Sequence, residues 1–154
     1  MTELLKERVK ESSALWNPNA AASWSLLFSP LFGAYLHALN WRSLGETQRA
    51  SASMKWVYDG IVLLVFYLAI GFFVSDEKAA DGISRLAGLV YLLSWYFGSA
   101  RAQAKYVKER FETSYPRNSW VKPLLIAVGC MFGFIVLFVL SVLIGIFLSG
   151  KGAA

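Results

Sequence analysis

VKPLLIAVGCMFGFIVLFVLSVLIGIFL, Val121–Leu148, decides the fold class: 28 residues whose one charge, Lys122, stands at the beginning. A helix needs about 20 apolar residues to cross a hydrocarbon core roughly 30 Å thick. Two more runs, residues 56–74 and 83–100, come close to that length, and their charged residues are Asp59 and Arg85, both near an end. Three such runs in 154 residues are not the pattern of a water-soluble domain. They predict an all-α, polytopic membrane protein with three transmembrane helices.

Composition agrees with that class. Apolar residues make up 56% of the chain and charged residues 16%. The net charge of +5 is collected between the apolar runs, where membrane topology accounts for it without a nucleic-acid partner. Cys130 is the single cysteine, so no intrachain disulfide and no cysteine–histidine zinc site is expected. Residues 1–15, MTELLKERVKESSAL, alternate charge with leucine and predict a short amphipathic N-terminal helix, not a cleavable leader. Residues 16–154 are expected to form one helical membrane domain, with segments at about 20–39, 56–74, 83–113 and 121–149.

The segment before the first long run is the least ordinary. Residues 16–46 read WNPNAAASWSLLFSPLFGAYLHALNWRSLGE. Asn17-Pro18-Asn19 is a helix-start signal, because proline presets φ and an asparagine side chain accepts from free N–H groups. The apolar part, 20–39, is interrupted by Ser29-Pro30 and Gly33, and proline breaks the hydrogen-bond ladder there. Two forms remain open: a kinked helix that spans, or a helix-break-helix hairpin that dips in and returns. The hairpin or interfacial form is preferred, provided its broken backbone is covered by protein or water.

Lysine and arginine set orientation. Residues 40–55 carry Arg42, Arg49 and Lys55; residues 101–122 carry six basic residues; residues 75–82 carry Asp76, Glu77 and Asp81 against Lys78. The first two stretches are therefore expected in the cytoplasm and the third outside, with the C-terminus outside too. The third run is expected to continue as a helix to about residue 113, supported by Lys105 and Glu109 four apart.

Small residues recur every fourth position: Gly129 and Gly133, then Ser141 and Gly145, and in the third run Ser94 and Gly98. In lipid such stripes mark close helix contact, within one bundle or between chains. His37 and Asp59 flank the basic loop and are candidates for a paired polar site, with Asn40 and Arg42 on the same lip. The plainer roles are a helix start at Asp59-Gly60 and headgroup anchoring at the others. Arg101 and Lys105 join that lip as candidate contacts for acidic lipid heads. No motif for a metal, phosphate loop or nucleophile accompanies them, so no catalytic residue, metal or cofactor is assigned.

The stretch NPNAAASWSLLFSPLFGAYLHALNWRSLGE resembles the N-terminal signature of a family of small, uncharacterised inner-membrane proteins of proteobacteria. That resemblance implies a bacterial inner-membrane location and no activity. The expectation is a non-enzymatic protein that binds or protects other membrane components, an accessory subunit or immunity protein. The alternative is a small homo-oligomeric channel or lipid-handling protein that uses the broken segment with His37 and Asp59. Membrane lipids, and another membrane protein or a second copy, are the expected partners.

Overall fold

The computed structural model of the protein describes residues 14–112 and 114–148. The amphipathic helix expected over residues 1–15 falls almost wholly outside the described residues, as does the tail after Leu148. Within them every regular element is helical, and an isolated bridge pairs Leu15 with Arg117.

Helix α1, Pro18–Phe28, starts where the sequence predicts: Asn17 Oδ1 accepts from the N–H groups of Asn19 and Ala20 at 3.0 and 3.3 Å, and Pro18 fills the first helical position. It stops at Ser29, whose φ of 93° cannot continue a helix. Helix α2, Pro30–Ser43, begins at once and runs back along α1. The two arms are hydrogen-bonded at their open end, Trp16 to Asn40, and pack closely through Ser25 and Gly33 toward the turn. Segment 20–39 is thus a hairpin, and the single kinked crossing is set aside.

Gly45, with φ of 75°, turns the chain into α3, Thr47–Phe73, which packs along α2. Helix α4, Glu77–Trp95, is capped by Asp76 Oδ1 and returns antiparallel to α3. Tyr91 Oη donates to the Trp56 carbonyl at 2.5 Å and fills a notch at Gly60, where an added Cβ would lie 2.6 Å away. A π-helical turn, Tyr96–Ala100, joins α4 to α5, Arg101–Phe111, so the three form one rod of about 50 Å at about 1.5 Å per residue. The rod begins one to two turns earlier than the sequence suggests, at Glu77 instead of residue 83, because the Asp76 cap supplies a start. Glu112, with φ of 52°, ends it, and α6, Val121–Leu148, follows.

The buried core lies at one end. Ala34, Val57, Trp95 and Ala100 form one cluster; Leu15, Val107 and Phe111 form the next. Beyond it, apolar side chains face outward along α3, α4 and α6. From Val128 to Leu148 no residue of α6 is buried.

Two helices are long and apolar enough to cross a membrane, Thr47–Ile70 and Val121–Leu148. The core helix of a soluble protein passes the same test but is mostly buried, whereas 22% and 0% of these apolar windows are buried. The third run does not meet the measure. Its α-helix carries Glu77, Lys78, Asp81 and Arg85 in its first nine residues, and the π turn ends it at Trp95.

Candidate functional site

The polar residues gather where the hairpin opens. Asn40, fully buried at the end of α2, accepts from the Trp16 N–H at 3.0 Å and donates to the Trp16 carbonyl at 2.8 Å and to Gln103 Oε1 at 3.1 Å. Gln103, also fully buried, donates to the His37 carbonyl at 2.8 Å. The buried amides of Asn40 and Gln103 are thus satisfied by protein partners. One side chain from α2 and one from α5 thereby lock the N-terminal strand of chain, the hairpin and the rod together.

The π turn makes this lock possible. Trp95, Ala100, Gln103, Val107 and Phe111 are the buried face of the rod, and the step from Trp95 to Ala100 is five residues. An α-helix keeps one face with steps of three and four. The extra residue is absorbed by a bond from the Arg101 N–H to the Tyr96 carbonyl, five residues back. Without it Gln103 would not face Asn40.

His37 sits in the same core, fully buried and tilted against Trp95 with ring centroids 5.6 Å apart. Its Nε2 lies 3.3 Å from the Pro18 carbonyl, which can only accept, so Nε2 carries the proton. Burial pulls its pKa down from 6.5 to about 4, opposed by a smaller upward pull from the Pro18 carbonyl, and the ring is neutral at pH 7. Its Nδ1 and the Trp95 Nε1 find no hydrogen-bond partner among the described residues.

The structure does not bring His37 and Asp59 together. Asp59 is exposed on α3, because Val57 and Gly60 occupy that helix's buried side. The pairing that motivated a proton-accepting site is therefore not formed. Arg42 is exposed at the end of α2, one residue beyond the buried Trp41. The break falls at Ser29, with Pro30 opening α2, and Gly33 is not part of it: it lies inside α2, where an added Cβ would meet Ser25 Oγ and lie 2.6 Å from Trp95 Cη2.

The small-residue stripes divide. Gly98 lies against Trp56, 3.4 Å from where a Cβ would stand, so it serves the α3–rod contact. Ser94 is exposed on the rod. Among the described residues, Gly129 and Gly133 have nothing within 4 Å of an added Cβ. Ser141 donates back to the Phe138 carbonyl at 2.7 Å and, like Gly145, is half-buried.

Sequence reasoning missed Gln103, Trp95, Arg49 and Tyr106. The Arg49 guanidinium stacks over the rings of Trp41 and Tyr106, 4.9 and 4.8 Å from their centroids. Tyr106 Oη donates to Glu46 Oε1 at 2.8 Å. A groove of about 410 Å³ opens beside them between α3 and the rod. Two cations, a carboxylate, two aromatic rings and hydroxyls line it. No group of three or more histidine, cysteine, aspartate or glutamate side chains stands together for a metal among the described residues.

No protein-family model matches the chain, and neither a curated protein nor a solved structure matches it.

Proposed function

We propose that the protein is a non-enzymatic, multi-pass bacterial inner-membrane protein that binds another membrane protein or a second copy of itself, as an accessory or immunity-type component. In this reading α3, the rod through residues 83–100, and α6 cross the bilayer. The α1–α2 hairpin enters and leaves on the cytoplasmic side, with the basic stretches 40–55 and 101–122. The charged start of α4 then stands at the opposite headgroup layer, which a rod of about 50 Å reaches with length to spare.

One observation carries the reading. Among the described residues, helix α6 is buried only in its first turns, at Pro123 and Ala127, and it then presents Gly129 and Gly133 with no described atom within 4 Å of an added Cβ on either. Lipid covers leucine and phenylalanine as well as protein does, but it gains nothing from glycines spaced to admit a helix backbone. A second helix does.

Affinity purification in mild detergent tests this. The wild-type chain is expected to emerge with a second chain attached, and Gly129→Leu with Gly133→Leu is expected to release it while the monomer stays folded. A wild-type chain that is monomeric and without a partner, yet active in cells, overturns the proposal.

A further inference from the structure

The groove between α3 and the rod straddles a change of character that both walls undergo at one height. Helix α3 passes from Arg49 and Lys55 into its apolar run at Trp56, and the rod passes from Gly98 and Ala100 into Arg101 and Lys105. On the membrane reading above, on which this step rests, that height is the headgroup layer.

The groove's charges are of both signs, and Arg49 is the one held in place. Arg49 is fixed by its two aromatic faces and by Glu46, with Nε and Oε2 3.7 Å apart. Lys105 Nζ stands 3.8 Å from Glu109 Oε1, both side chains largely exposed at 76% and 65%. Arg110 donates to Tyr106 Oη at 2.7 Å just beyond the rim. Gly98 and Ala102 leave the membrane-facing side of the groove without bulk.

We propose that the groove binds one phospholipid with a zwitterionic, primary-amine head, its phosphodiester on Arg49 and Lys105 and its ammonium on Glu109. Guanidinium and ammonium groups suit a phosphodiester, Arg49 as a planar fork and Lys105 as a mobile point charge. Glu109 is free to accept from the lipid amine, because an exposed pair as long as its contact with Lys105 holds weakly. A phosphatidylglycerol head offers Glu109 hydroxyls but no cation. A trimethylammonium head has no N–H to donate to Glu109. The glycerol leaves between Gly98 and Ala102, and the acyl chains follow the apolar faces below.

The test uses the full chain purified in detergent and read by thermal shift and by lipid retention in native mass spectrometry. Phosphatidylethanolamine, phosphatidylglycerol and phosphatidylcholine with the same acyl chains are the probes. The ethanolamine lipid is expected to bind roughly tenfold more tightly than the other two. Lys105→Gln is expected to weaken all three alike, whereas Glu109→Gln is expected to remove the preference without weakening the glycerol lipid. Both side chains are exposed, so neither variant removes a buried contact. Equal or better binding of phosphatidylglycerol by the wild type, or a preference that survives Glu109→Gln, overturns the site. A chain that pellets with membranes but shows no preference sinks the site alone; one that stays in the supernatant of a detergent-free lysate sinks the membrane reading with it.

Discussion

Gly33 is the residue whose side chain, or lack of one, closes the hairpin. A methyl there would be driven into Ser25 and the Trp95 indole, neither of which has open space to retreat into. Gly33→Ala is expected to destabilise the fold by about 1–3 kcal/mol, the usual cost of overpacking a tight contact, whereas Gly129→Ala is expected to leave the monomer unchanged. Thermal unfolding in detergent distinguishes the two. Asn40 is the second such residue, since Asn40→Leu leaves the half-buried Trp16 N–H and carbonyl and the buried Gln103 amide oxygen without this partner. A buried orphaned group costs about 1–3 kcal/mol, and a half-buried one less. His37 adds a pH dependence. Its unfolded imidazole takes up a proton as pH falls through 6.5, whereas the folded ring resists until about 4. Stability is therefore complete above pH 6.5 and falls, by at most about 1.4 kcal/mol per pH unit, until pH 4, below which this loss levels off. His37→Gln is expected to flatten the melting curve over that window relative to wild type. An unchanged slope would mean that the ring protonates in place.

The hairpin turn and the π turn are the elements that decide the arrangement, and only one of them is readable locally. Asn17-Pro18-Asn19 and Ser29-Pro30 state the start and the break of α1 in adjacent residues, so both are visible in the sequence. Ser29 reaches φ of 93° with a side chain attached, a region nearly reserved for glycine. Ser29→Gly is expected to stabilise the hairpin by about 1 kcal/mol, measured by the same melting experiment. Gln103, by contrast, sits in RAQAKYVKERF, where glutamine looks like one more helix former on an exposed extension. Its burial depends on a partner 63 residues away and on the five-residue step at the π turn, and neither leaves a trace in nearest neighbours. The same limit explains the His37–Asp59 expectation. Both residues do flank one loop, but which face of α3 turns inward is decided by Val57 and Gly60 against α2 and α4. Deleting Ser99 tests the π turn directly, because it removes the extra residue and turns the five-residue step into one of four, which plain α-helix keeps on one face. Gln103 then still faces Asn40, and a folded chain is the expected result; loss of folded yield would mean that the π turn does more than absorb one residue.

At the scale of the whole chain, the hydrogen bonds at the hairpin's open end constrain how the protein can sit in a bilayer. Trp16 is bonded to Asn40, Leu15 pairs across to Pro116 and Asn118, and Trp16 Nε1 donates to the Ser119 carbonyl. The start of the hairpin, its end, the foot of the rod and the start of α6 are therefore at one level. The α3–α4 turn around Asp76 and the far end of α6 are at the other. If that first level is the cytoplasmic headgroup layer, as proposed above from its basic residues, then sidedness is fixed for every loop at once. In a Cys130→Ala background, Ser75→Cys is expected to react with a membrane-impermeant maleimide added to intact spheroplasts. Ser43→Cys and Ser114→Cys are expected to react only after lysis. Labelling of Ser43→Cys and Ser75→Cys from the same side would break the antiparallel pairing of α3 and the rod across the bilayer. Labelling of Ser43→Cys from outside, with Ser75→Cys protected, would keep the fold and invert the protein.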